Sequence, residues 1–378
     1  MIYKDPCVYV VGSEYQIVIN TPAFGKCWVE AGGKVYNDSV GGLIRTETHV
    51  HRVTVPMDVL DNAGGYRVCF RALPERKPYF PELGELQYRD YAFRPVDTSR
   101  ALNVYVLADT HSRVDEPAKA ASYFVDKLDL LIMNGDVPTA CQTHEDIRSI
   151  FDITSAVTHG EIPVVFARGN HDYRGQYALD LPQYIGNRNG NTWFTFRIGS
   201  IWGIVLDCGE DKVDEHAEYG GLVDCHEMRL SETEYIEEVV ANAKTEYASE
   251  GIETRLVITH LPFCAACVHG GNETFNIEQE LFGKWTKLLN EIKPHAMISG
   301  HMHFTKIALP GTDDVRMGAE FPVIICSEPY AGSKRECTRE PHAGAKYVGL
   351  AMRIDGEKIT FTATSDIGTE EHLHTVNK

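Results

Sequence analysis

Apolar and polar positions alternate in short runs over residues 1–97. Segments 15–19, 26–30, 48–55 and 66–72 carry the two-residue period of half-buried strands. Gly32-Gly33, Gly41-Gly42 and the 62–65 run supply the turns between them. Tyr66, Val68 and Phe70 fall on one face and are expected to be buried together. No convincing helical period occurs, so this part reads as all-β, most economically a small sandwich. His49 and His51 share a strand face without a third ligand-type neighbour, and the pattern makes them polar members of an exposed face.

After residue 101 the rhythm changes. Runs at 102–108, 128–133, 163–167, 255–259 and 295–299 are apolar almost throughout, as in strands buried on both faces. Helical periods separate them, beginning near Pro117 and covering 144–157, 232–247 and 277–292. Segments 192–196 and 201–206 form a strand pair around Gly199-Ser200, and 348–354 with 358–363 a closing hairpin across Asp355-Gly356. The pattern sets a boundary near 95–100: an N-terminal β-sandwich over 1–97, fibronectin III-like, and an α/β domain over 98–378. A chain starting near Thr98 is then expected to fold by itself. Loops 207–231 and 264–276 are long enough to be candidates for a substrate rim, with surface decoration as the equal alternative.

Composition narrows the function classes. With 36 basic against 54 acidic residues the formal charge is −18, which disfavours a diffuse nucleic-acid or anionic-membrane surface. No apolar run is long enough to span a bilayer, and residues 1–20 lack the pattern of an export signal, so a cytoplasmic protein is expected. Ten cysteines without a regular framework fit free thiols in a reducing compartment. Cys264 and Cys267 lack a second pair at metal-finger spacing and receive no role. The glycosylation patterns at Asn37 and Asn272 matter only in a secreted protein.

Each of the five buried runs is followed by a polar one. In order these are Asp109-Thr-His111, Gly135-Asp136, Gly169-Asn170-His171-Asp172, His260, and Gly300-His301-Met302-His303. A lone Gly-Asp or Asp-x-His is more often a turn or a surface pair, whereas all five after strands, in one order, point to metal. In α/β sheets, side chains delivered from strand ends converge on one edge. Residues two apart in extended chain point the same way, so Asp109 with His111, and His301 with His303, can each grip one ion. Asp136 has two oxygens and is the natural bridge between two ions, while Asn170 and His260 complete a second set. This thiolate-free set of carboxylate, imidazole and amide donors suits manganese, iron or zinc. With only Asp109 and Asp136 as anionic ligands, two divalent ions retain about two positive charges, which favours a phosphoryl group. His171, beside Asn170, is placed to donate a proton to a departing oxygen.

The ordered set resembles the calcineurin-like metallophosphoesterase superfamily over about residue 102 to the C-terminus. The resemblance implies a four-layer α/β/β/α fold with two divalent or trivalent ions at the edge of two facing sheets. It implies Asp109, His111, Asp136 and His303 around one ion, Asp136, Asn170, His260 and His301 around the other, and His171 as proton donor. An all-β part ahead of such a domain is similar to the arrangement of purple acid phosphatases. Those enzymes, however, have glycine where His111 stands and a metal-binding tyrosine where Thr139 stands, so no phenolate ligand is expected. The Asp-Arg-Gly run of serine/threonine protein phosphatases is missing at 137–140.

These readings imply a phosphoesterase in which a metal-bound hydroxide attacks a small-molecule phosphate ester in line. A monoester is slightly favoured, with Arg113, Arg168 and loop 327–335, including Lys334, as candidate phosphate donors, Arg113 and Arg168 reading equally as ordinary salt-bridge partners. The alternative is a phosphodiesterase acting on nucleotide-like or lipid-derived diesters. A reading of another class, a binding module joined to a vestigial metal domain, is opposed by the completeness of the ligand set.

Overall fold

The computed structural model describes residues 2–267 and 276–378. His269 and the Asn272 glycosylation pattern lie outside the described residues. Two sheets face each other. In the larger, the strands Leu102–Leu107, Leu130–Asn134, Pro163–Ala167 and Cys7–Val11 run parallel. Tyr347–Asp355, Lys358–Ser365 and Glu370–Asn377 extend it antiparallel on one side, and Glu14–Asn20 and Val50–Pro56 extend it on the other. In the smaller sheet, Ile201–Leu206, Thr254–Thr259, Ala296–Ser299 and Val323–Ile325 run parallel, with antiparallel strands at both edges.

Side-chain alternation along the strands builds three apolar layers. From Leu130–Asn134, Leu130 and Ile132 enter the space between the sheets and meet Leu256 and Ile258 of the opposite sheet. Leu131 and Met133 point outward, against Ile147, Ile150 and Phe151 of the helix His144–Thr158. On the far side Val257 and Met297 meet Ile236 of the helix Cys225–Ala241, and Trp285 and Leu289 of the helix Gln279–Ile292. Because both faces of each central strand are covered, the strands read as unbroken apolar runs. The order helix, sheet, sheet, helix is the expected four-layer α/β/β/α arrangement.

The N-terminal sandwich is built onto this unit. Its outer sheet consists of Lys34–Asn37, Gly25–Ala31, Gly65–Ala72 and Gln87–Ala92. There Cys27, Val29, Val68 and Phe70 join one cluster with Tyr15, Ile17, Val53 and Val55 of the large sheet. One sheet of the sandwich is thus the end of the ten-stranded sheet. Tyr66 stacks on Tyr91 with ring centroids 5.2 Å apart and donates its hydroxyl to the Gly160 carbonyl at 2.7 Å.

Hydrogen bonding therefore crosses residue 97. Val8 pairs with Pro163 and Tyr9 with Val164, and the inter-sheet core is continuous through both parts. The two parts thus share one core, which argues against the expectation that a chain from Thr98 folds by itself. Three local readings also change. A short helix, Met57–Ala63, interrupts the N-terminal strands and ends at Gly64 with φ 61°. The helix expected from 232 begins at Cys225. His51 is buried, not exposed, because it shares the inward face with Val53 and Val55, and its Nδ1 lies 3.5 Å from Asp38.

Candidate metal centre

The five polar runs leave the C-terminal ends of parallel strands, three in the large sheet and two in the small one, and meet over the gap between the sheets. The chain turns sharply there. Asp109, His111, Asp136, His301 and His303 all have left-handed φ, between 46° and 67°. Such backbone costs on the order of 1–3 kcal/mol per non-glycine residue and persists only where surrounding contacts enforce it. Two loops enforce it on each other: Asp109 N donates to Gly135 O and His111 N to Asp136 O, both at 3.0 Å.

The glycines of the motifs make room for the donors. A Cβ on Gly135 would strike the His260 imidazole, and one on Gly169 the Asp136 carboxylate. One on Gly300 would strike Ala108 and the Asp109 carboxylate. The pairing of glycine with a donor residue is thus steric.

Each carboxylate is held by one oxygen and presents the other. Asp109 Oδ2 accepts from His301 N at 2.9 Å and from the Ser327 hydroxyl, leaving the buried Oδ1 without a hydrogen bond. Asp136 Oδ1 accepts from His171 N at 2.8 Å, which turns Oδ2 inward. His260 Nδ1 donates to Asn134 O at 2.7 Å, so its Nε2 offers a lone pair. That lone pair faces Asp136 Oδ2 at 3.2 Å and Asp109 Oδ1 at 3.7 Å, and makes no hydrogen bond. His303 Nε2 lies 3.3 Å from Asp109 Oδ1 and 3.2 Å from His111 Nε2, and His301 Nδ1 lies 3.0 Å from Asn170 Oδ1.

Lone pairs directed at one another in a buried space are unfavourable without a cation between them. The site's own protons offset this only in part. Burial depresses the His260 pKa, but Asp136 and Asp109 together overcome it and lift it to about 10. Burial drives His111 and His301 down to about 4, so both rings are neutral donors near neutral pH. For Asp136 burial acts upward, yet His260 and the neighbouring imidazoles hold it well below the usual carboxylate range.

All seven residues expected as ligands meet here. Asp109, His111 and His303 form one group, and Asp136, His260 and His301 another, each with donor atoms within 4.8 Å of one another. Asn170 joins the second group through His301. A third group joins His111, Asp136 and His171, so His171 borders the same space. Its Nδ1 donates to Thr139 O at 2.8 Å and its Nε2 lies 4.0 Å from Asp136 Oδ2. The donors are oxygens and imidazoles without thiolate, and their orphaned inward atoms fit manganese, iron or zinc.

Several supporting residues escaped the sequence reading. Asp172 Oδ2 accepts from Gly169 N at 2.8 Å and Asp136 N at 3.2 Å, and burial together with Asp136 raises its pKa to about 8. Asn134 Nδ2 donates across to Thr259 O and Ile298 O of the opposite sheet, both at 3.2 Å. From the expected rim loop, Glu210 holds Arg174 through two bonds of 2.8 Å, and Arg174 Nη1 reaches His171 Nε2 at 3.4 Å. In the sequence Asp172 carries no role, the 207–231 loop only that of a candidate substrate rim, and Ser327 only that of one member of a candidate phosphate-binding loop; nothing local marks Asn134. Two of the candidate phosphate donors are held by the fold. Arg113 donates to Tyr330 O and Lys346 O, both at 3.0 Å, and Arg168 lies 3.5 Å over the Tyr173 ring.

Comparison with known proteins agrees with this geometry. The family model described as calcineurin-like phosphoesterase matches residues 102–304. The fold is similar to that of the purple acid phosphatase PPD1 from yellow lupin (Lupinus luteus) seeds, with TM-score 0.62 and 11% identity over 99% of this chain and 74% of that one. It is also similar to PhoD, with TM-score 0.50 and 11% identity over 98% of this chain and 91% of that one. No curated protein sequence matches the chain.

Proposed function

The chain belongs to the calcineurin-like phosphoesterase family and is a metal-dependent hydrolase of phosphate esters, and from that premise we propose how its site works. The reading rests above all on the convergence of orphaned donors, Asp109 Oδ1 and His260 Nε2, in a buried space. Asp109, His111, Asp136 and His303 would hold one ion and Asp136, Asn170, His260 and His301 a second, with Asp136 shared. Bound there, the ions would act as Lewis acids toward phosphoryl oxygens and bring the pKa of a water toward neutrality.

The remaining steps belong to the protein. Ser327 and the His301 amide fix the Asp109 carboxylate, and the His171 amide fixes that of Asp136. With Nδ1–H given to Thr139, His171 turns Nε2 to Arg174 at 3.4 Å, and a proton taken up at Nε2 in place of that contact would pass to the departing ester oxygen. Asn134 keeps the two sheets, and so the two halves of the donor set, in register.

The diester reading gains from the structure, because Arg113 and Arg168, expected to neutralise a doubly charged monoester, are tied into the fold. Residue 97/98 is proposed as the division between the sandwich and the site-bearing part. A cytoplasmic setting is proposed as well, supported by ten free cysteines. No helix among the described residues is long and apolar enough to cross a membrane. Hydrolysis of 4-nitrophenyl phosphate and of bis(4-nitrophenyl) phosphate by the manganese-, iron- or zinc-loaded protein tests the proposal. Turnover of either that stops on chelation is expected; metal-loaded protein inert to both would refute it.

A further inference from the structure

The loop that follows the strand Ile201–Leu206 begins in the interior. Asp207, Glu210 and Asp211 are buried, and a buried arginine of the helix Cys225–Ala241 clamps the chain between them. Arg229 Nε donates to Cys208 O at 2.8 Å and its Nη2 to Glu210 O at 2.6 Å. Gly209, with φ +66°, lies so close to this helix that a Cβ would strike the Cys225 sulfur. Two consecutive carboxylates are thereby fixed beside the donor cluster. Glu210 is taken up by Arg174, on the side of His171. Asp211 lies on the side of His301.

Asp211 repeats the arrangement of the two carboxylates within the site, with one oxygen held and the other presented. Its Oδ1 accepts from the Tyr219 hydroxyl at 3.0 Å and from Lys212 at 2.9 Å, while Oδ2 lies 3.8 Å from His301 Nε2. The two nitrogens of an imidazole point away from each other. His301 Nδ1, 3.0 Å from Asn170 Oδ1, is the one on the donor side, so Nε2 is the far nitrogen. The side chains are only 12% exposed for His301 and 8% for Asp211, so water screens the charge between them weakly. His260 divides its nitrogens in the same manner, with Nδ1 given to Asn134 O and Nε2 facing the carboxylates.

An imidazole that ligates a metal is neutral and keeps its ring hydrogen on the other nitrogen, and the group that this hydrogen faces sets the tautomer and the ring's orientation. We propose that Asp211 is a positioning residue for the second ion's site: its carboxylate favours the His301 hydrogen at Nε2 and so presents Nδ1, beside Asn170, to the ion. At 3.8 Å the separation exceeds a hydrogen bond, so Asp211 acts through its charge or through one bridging water. Lys212 offsets part of that charge from the Oδ1 side. The proposal rests on the two-ion reading above and deepens it, because it makes a loop outside the five motifs a determinant of the second ion's affinity.

Stepwise titration of the full chain with manganese, followed by calorimetry and by electron paramagnetic resonance, tests it; the resonance distinguishes a coupled ion pair from a single ion. Loss of such a carboxylate partner costs about 10–100-fold in metal affinity. Asp211→Asn, which keeps the side chain's shape, is therefore expected to weaken one of the two binding steps by that factor and leave the other unchanged, with the coupled signal appearing at correspondingly higher manganese. Tyr219→Phe removes a contact of Oδ1 and leaves Oδ2 alone, and should bind both ions as the unaltered protein does. In the zinc-loaded unaltered protein, nitrogen NMR of the His301 ring, assigned by comparison with His301→Gln, should find the hydrogen on Nε2.

Unchanged affinity of Asp211→Asn at both steps, equal weakening of both steps, a matching loss in Tyr219→Phe, or a hydrogen on Nδ1 overturns the role of Asp211 and leaves the two-ion reading standing. If Asp211→Asn fails to fold, the ring tautomer in the unaltered protein still decides. Unaltered protein that takes up fewer than two ions overturns both readings.

Discussion

Replacing Gly135 by alanine separates two effects that the fold superimposes. Gly135 has φ +82°, and a Cβ there would overlap the His260 ring. Gly64 provides the control: its φ is +61°, but a Cβ would meet nothing within 4 Å. Alanine in left-handed backbone costs about 1–2 kcal/mol, so Gly64→Ala should lose about that much and leave the metal site alone. Gly135→Ala carries the same backbone cost plus about 1–3 kcal/mol for overpacking, about 2–5 kcal/mol together. The imidazole it displaces is the one whose Nε2 faces both carboxylates, so metal should be lost as well. Urea unfolding of the metal-free proteins gives the stabilities, and elemental analysis after metal loading and desalting gives the content. Equal stability loss in the two variants, with full metal in Gly135→Ala, would refute the claim that this glycine exists to make room for His260.

Other consequences can be checked separately. His171→Ala should keep its metal and lose about a hundred- to ten-thousand-fold in turnover of alkyl phosphates, with a far smaller loss on nitrophenyl phosphate, whose leaving group departs without a proton; equal losses on the two would show that His171 is not the acid. Burial, with Arg255 and Lys378 nearby, pushes the His295 pKa down to about 4 from an ordinary value of 6.5. Between those values the unfolded chain takes up a proton that the folded chain refuses, so stability contributed at neutral pH is lost as pH falls through this window. Urea titrations at pH 5 and 7 should then show a smaller acid-dependent loss for His295→Gln than for the unaltered protein; an identical loss would contradict the assignment. Removing residues 1–97 uncovers the edge of Pro163–Ala167 and part of the inter-sheet core, so the remainder is expected to aggregate or bind hydrophobic dyes, and a soluble, cooperatively melting product would show that the shared core is dispensable.

What could be read from the sequence divides along physical lines. The central strands were legible because burial on both faces leaves an unbroken apolar run, and the donors because each follows such a run within a few residues. The strand Cys7–Val11 was not, since its partner Pro163–Ala167 lies far along the chain and nothing local encodes that pairing. Its placement decides that the sandwich continues the large sheet. His51 was misread because strict alternation puts it on the face of His49, whereas the strand begins at Val50 and carries His51 inward with Val53. Met57–Ala63 is too short to show a helical period. At the site, Ser327 supports Asp109 from 218 residues away, and Asn134 acts across the two sheets. Such roles come from packing and leave no spacing to recognise. The glycines were part of the recognised motifs, but only the structure shows that each clears space for a particular donor.

The central claim is that one donor set, with Asp109, Asp136 and His260 buried at its base, holds two ions through a shared Asp136 carboxylate. Metal stoichiometry by elemental analysis tests it most directly, on unaltered protein saturated with manganese, iron or zinc and freed of loose ions, with Asp136→Asn in parallel. The account predicts two ions per chain in the first and depletion of both in the second. A single tightly bound ion per chain in the saturated protein would contradict it.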